Sequence, residues 1–149
     1  MLSRKLFFVL PILLAFFPLL ASASVSFSGI MYDLDGSDSS GSHYRDWVEV
    51  YNDGSPIDLT TWKFFEGGSN HGITAFKGGT TIPTGGYAIL SDDPALFLSD
   101  WPSFSGIVFD TVFSGGLNNT NGETLTLRDE ALSDVATISY NPALGGDGD

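Results

Sequence analysis

From Val25 onward the chain alternates short apolar bursts with clusters of glycine, asparagine, aspartate and serine, and shows almost no helical periodicity. Val25 to Tyr32 reads as an opening strand, followed by a polar loop from Asp33 to Ser42 made almost wholly of turn-favouring residues. In Trp47-Val48-Glu49-Val50-Tyr51 the two valines share one face, so Trp47, Glu49 and Tyr51 share the other. Further strands are expected over 62–65, 73–76, 87–90, 107–113, 124–127 and 136–140, with turns at Asn52 to Pro56, Gly67-Gly68, Thr84-Gly85-Gly86 and Asn121-Gly122. One short helix is predicted near residues 94–101. Asp92-Asp93-Pro94 offers a carboxylate cap with proline in the first turn, and Pro102 ends it. Phe97 and Trp101 lie four apart and are expected to face the sheet together, with Trp62 and Trp101 in the core. Strands at this spacing without crossover helices predict an all-β, antiparallel β-sandwich.

The first residues follow another pattern. Arg4 and Lys5 precede an apolar run from Leu6 to Leu20, and Ala21-Ser22-Ala23 supplies the small residues of a cleavage site. The run is short for a bilayer span, which takes roughly 20 residues. Residues 1–23 are therefore expected to be a signal peptide and residues 24–149 one domain. Export to the periplasm, cell surface or medium follows, and membrane contact arises only through this segment if it stays uncleaved.

Charge and cysteine count narrow the functions. Without the leader, four basic residues (Arg45, Lys63, Lys77 and Arg128) face eighteen carboxylates, a net charge of −14. That balance opposes nucleic-acid phosphates and anionic lipid heads. It favours cations, neutral glycans or basic protein surfaces. No cysteine is present, so an exported chain of this kind must hold together by a packed core rather than disulfides.

Three ordered segments resemble the lamin-tail domain family: WVEVYNDGSPIDLTTWKFF (47–65), IPTGGYAILSDD (82–93) and NGETLTLRD (121–129). The resemblance covers about residues 25 to 149. It implies an immunoglobulin-like β-sandwich, found in bacteria on exported and surface proteins and sometimes appended to hydrolases, with no catalytic residues to carry over. The chain departs from the family pattern at Gly29, where a glutamate is common. The family also has a final strand beyond the stretch matching Ala143 to Asp149, so the domain is expected to be truncated before its last strand.

Candidate chemistry is sparse. Asp33, Asp35, Ser37 and Asp38 have the oxygen-rich spacing of a calcium loop, although position 44, where an EF-hand needs a bidentate glutamate, is tyrosine. The same residues also read as a solvated acidic turn. His43 and His71, the two histidines, read as surface residues; a metal site built on them would need a carboxylate such as Asp46 or Glu66. No nucleophile elbow is present and no carboxylate pair stands out, so the chain is not expected to be an enzyme. Tyr44, Trp47 and Tyr51 are candidate ligand-contact aromatics. The expected function is an exported or cell-surface binding or scaffolding module with a protein or glycan partner. The alternatives are a calcium-dependent adhesion domain and an accessory domain of a larger secreted hydrolase.

Overall fold

The computed structural model describes residues 24–40 and 43–145. The expected leader and the tail from Gly146 lie outside the described residues. Strands dominate and follow one another as β1 (Val25–Met31), β2 (Ser39–Ser40), β3 (His43–Tyr44), β4 (Trp47–Asn52), β5 (Ile57–Asp58), β6 (Lys63–Glu66), β7 (Ser69–Gly72), β8 (Thr74–Lys77), β9 (Thr81–Ile82) and β10 (Gly86–Ser91). Helix α1 (Pro94–Asp100) separates these from β11 (Ile107–Asp110), β12 (Thr124–Arg128) and β13 (Asp134–Ser139). One sheet has the order β1-β4-β10-β11-β8 and the other β13-β12-β6-β7, with two small ladders, β2–β3 and β5–β9, beside them. The architecture is an immunoglobulin-like β-sandwich.

Alternation places the core. On β4, Val48 and Val50 point into the sandwich with no exposed surface, and Trp47, Glu49 and Tyr51 point out, as the sequence predicts. Leu125 and Leu127 of β12 and Phe64 of β6 meet them from the opposite sheet. Phe64 packs on Phe113 at 5.0 Å between ring centroids. Each such side chain contributes about 1.5–3 kcal/mol by leaving water.

The segments that carry the family resemblance have local physical causes. Asn52 is fully buried, and its side-chain amide donates to the carbonyls of Ser55 (2.9 Å) and Ile82 (3.0 Å) while its carbonyl accepts from Gly54 N–H. One side chain thus ties the turn after β4 to the strand that precedes β10. Asp58 caps the 3₁₀ turn at Leu59–Thr61 by accepting from Thr60 N–H at 2.9 Å, which buries Leu59 and delivers the buried Trp62.

Three differences from the sequence expectation bear on how the strands connect. β10 and β11 pair in parallel, not antiparallel. A parallel pair needs a crossover of a dozen or more residues, and the segment from Asp92 to Gly106 supplies it by laying α1 over the outer face of the five-stranded sheet. β7, formed by Ser69-Asn70-His71-Gly72, is absent from the expected strands because an edge strand needs no apolar face; the Gly67-Gly68 turn, with φ of +55° and +80°, folds it back onto β6. The Asn121-Gly122 turn forms but closes no hairpin. It ends the loop that carries the chain from β11 in one sheet to β12 in the other, and a Cβ at Gly122 (φ +67°) would lie 2.1 Å from the Tyr140 carbonyl oxygen.

Candidate functional site

The outward residues of β4 and the crossover helix together build an aromatic pocket. Asp93 caps α1 by accepting from Ala95 and Leu96 N–H (3.0 and 2.9 Å), and Pro94 sets its first turn. The helix lies on the sheet through Phe97, 2% exposed, which packs with Ile89 and Val108. It ends where the Trp101 N–H returns to the Phe97 carbonyl and Pro102 follows.

Four rings then stand nearly perpendicular to their neighbours. Trp47 meets Phe97 at 5.8 Å and 76° and Trp101 at 6.1 Å and 88°, and Phe97 meets Phe104 at 5.1 Å and 81°. These are the edge-to-face contacts that aromatic quadrupoles favour. Beside them lies an open cavity of about 350 Å³, with Glu49 and Asp100 also in its wall. Trp101 is 43% exposed, so the expectation that it joins the core is corrected. It closes one side of a pocket because it follows the last helical turn, beyond the stripe that faces the sheet.

Two polar groups in this wall are incompletely matched. The Trp47 Nε1–H is buried and has no hydrogen-bond acceptor among the described residues, an uncommon state for a buried indole. Glu49 accepts from Ser28 Oγ at 2.8 Å and joins no ion pair among the described residues. Asp100, by contrast, pairs with Arg45 Nε at 3.0 Å, and this hydrogen bond helps hold the guanidinium pKa above its usual value.

Residues 20–142 match the family model described as Lamin Tail Domain. The chain belongs to the lamin tail domain family. No curated protein and no solved structure matches it. The family is a non-catalytic, immunoglobulin-like one, and the sandwich described above is its fold.

The three aromatic candidates of this lamin tail domain do not form one surface. Trp47 lines the pocket. Tyr51, further along the same face of β4, pairs instead with the exposed Tyr87 at 4.7 Å. Tyr44 packs against the backbone of Gly116, where a Cβ would come within 2.6 Å of its ring. Trp101 and Phe104, which complete the pocket with Trp47, carry no sequence signal beyond their place at and after the end of a predicted helix.

The acidic loop is tied into the frame. Asp38 accepts from Leu34 N–H at 2.8 Å and from the Asn119 amide, Ser37 Oγ donates to the Ser39 carbonyl at 3.1 Å, Asp33 is buried and Asp35 is exposed. Among the described residues no three His, Asp or Glu side chains are gathered so as to hold a metal ion. The most perturbed carboxylate is Asp46, which the sequence offers only as a possible partner of the histidines and whose burial the tertiary structure reveals. It is buried, accepts from Leu117 N–H at 2.7 Å through Oδ2, and has no partner for Oδ1 among the described residues. Burial first, and then the charges of Asp38, Asp92 and Asp33, push its pKa up to about 7; the Leu117 hydrogen bond opposes the rise.

The histidines stand with different carboxylates, His43 3.9 Å from Asp93 and His71 3.4 Å from Glu66. The His71 side chain is only 12% exposed, which corrects its reading as a surface residue. Its Nε2 also lies 3.2 Å from Ser114 Oγ. Both contacts fall on one ring nitrogen, so the carboxylate does not orient the imidazole ring from the opposite nitrogen as a nucleophilic triad requires. Glu66 further accepts from Ser114 N–H at 2.9 Å, and burial raises its pKa. These three residues join the β6–β7 hairpin to the loop after β11.

Proposed function

We propose that this lamin tail domain is an exported, non-enzymatic binding or scaffolding module whose contact surface is the pocket at Trp47, Phe97, Trp101 and Phe104. The observation that carries the reading is that pocket: exposed aromatic surface beside a half-buried carboxylate, in a family whose fold is non-catalytic. Aromatic side chains with one apolar face and little conformational freedom are the usual anchors of recognition surfaces. Export rests on the basic, apolar and small-residue pattern of residues 1–23. The partner is a protein or a glycan.

Arrays of peptides and of oligosaccharides, probed with the purified chain and with Trp101→Ala in parallel, test the reading. Ligands retained by the parent and lost by the variant, at an unchanged unfolding midpoint, are the expected result. Ligands held equally by both place the contact surface elsewhere. Turnover of ester, phosphate or glycoside substrates by the purified chain overturns the non-enzymatic reading. N-terminal sequencing of protein recovered outside the producing cells should begin at Ser24.

A further inference from the structure

We infer that the Trp47–Trp101 pocket receives a basic side chain, a lysine ammonium or arginine guanidinium on an exposed segment of a partner protein. This rests on the pocket being the contact surface and assigns the chemistry of what enters it.

The wall of the pocket carries an unanswered charge. Glu49 sits half-buried on the outer face of β4, between the rings and β1, and no cation among the described residues pairs with it. Its cross-strand neighbour on β1 is Gly29, which has no side chain to cover it. The other carboxylate of the wall, Asp100, shows the matched case, with Arg45 against it at 3.0 Å. Among the described residues, the pocket thus holds one carboxylate with an internal cation and one without.

The rings supply the second half of the match. Tryptophan faces attract cations most strongly among aromatic side chains, and Trp101 is open to solvent beside the cavity. Lysine and arginine carry apolar stems that lie well along aromatic surface while the charged end reaches a carboxylate. This protein already uses the pairing on its other sheet, where the Arg128 guanidinium lies 3.6 Å above the Phe65 ring and bonds Asp134 at 2.7 Å.

Long-range charge acts in the same direction. A domain with eighteen carboxylates and four basic residues beyond its leader draws basic segments toward it and repels acidic ones. The nearby Lys77 donates to the Phe104 carbonyl at 2.7 Å and is not part of the pocket wall. A neutral sugar fits less well, because the wall offers two carboxylates and apolar rings but few donors.

The test uses the three tryptophan indole N–H signals of the whole chain in two-dimensional NMR, with Trp62, buried in the main core, as internal control. The probes are a short neutral-ended peptide with one central lysine, the same peptide with arginine, the same with norleucine, and a neutral glucan oligosaccharide. Lysine and arginine peptides should shift Trp47 and Trp101 and leave Trp62 in place. The shifts should weaken as salt rises from roughly 0.02 to 0.5 M, the range over which screening becomes severe. Glu49→Gln, nearly isosteric, should weaken binding about tenfold, the scale of one interaction of about 1.4 kcal/mol. Trp101→Ala, at an exposed position, should abolish the shifts with the fold intact. Equal shifts with norleucine, or shifts with the glucan alone, overturn the basic side chain while leaving the pocket as a contact surface. No shift with any probe at millimolar concentration overturns both.

Discussion

Between the two sheets, Phe64, Phe113, Leu125 and Leu127 are sealed from solvent on every side. Under α1 the buried cluster holds Ile89, Phe97 and Val108, and Trp47, Leu98 and Phe104 close around it incompletely. The interior is bounded by two hydrogen-bonded sheets, so any apolar residue pointing inward meets another from the opposite face. The outer layer is bounded by one sheet and a seven-residue helix, too short to cover the strands it crosses. The interior therefore specifies the fold, and the outer layer keeps the open aromatic surface and the unmatched Glu49. A binding surface is easiest to build where packing is complete on one side only.

That contrast predicts a ranking of damage. Phe64→Ala should destabilise most, by about 3–5 kcal/mol in urea unfolding, since the surrounding sheets cannot collapse into the cavity. On a domain stable by roughly 5–15 kcal/mol this leaves little margin. Phe97→Ala should lose less, about 2–3 kcal/mol, because the adjoining pocket lets the helix settle and water enter. Equal losses at the two positions would erase the distinction between interior and outer layer.

Asp46 gives the comparison a pH dependence, since it is a carboxylate buried beside the main core residue Leu117. With its folded pKa raised to about 7, the native chain holds a proton that the unfolded chain has released above about 4. Its contribution is therefore greatest at low pH and is lost as pH rises through about 7. Asp46→Asn should flatten this slope and raise stability at pH 8 by about 2 kcal/mol. That magnitude follows because each tenfold change in proton affinity is worth about 1.36 kcal/mol, less the part that relaxation of the structure around the buried charge recovers. Urea midpoints of parent and variant at pH 5 and pH 8 measure it, and parallel slopes would remove Asp46 as the cause. Trp101→Ala should have the smallest effect, about 0.5 kcal/mol or less, because its ring is exposed. A large loss there would make Trp101 part of the core after all.

The legible parts of the site and fold share a feature. Val48 and Val50 against Trp47, Glu49 and Tyr51 could be assigned to opposite faces because strand periodicity is local. Asp93-Pro94 marked the helix start because capping involves neighbouring residues. By contrast, the grouping of Trp47 with Trp101 and Phe104 joins residues more than fifty positions apart through a crossover, and nothing local reports it. The same holds for Asp46, whose hydrogen bond to Leu117 spans 71 positions.

The sequence alone determined the strand-rich class, the two faces of β4, the cap of the one helix and the acidic balance, all set by alternation, turn chemistry and composition. Tertiary structure decided that β10 and β11 run parallel, that Trp101 stays partly exposed, and that among the described residues Asp100 has a cation while Glu49 has none. Those outcomes depend on where a helix lands on a sheet, which is fixed by packing between distant segments rather than by the preferences of any one of them.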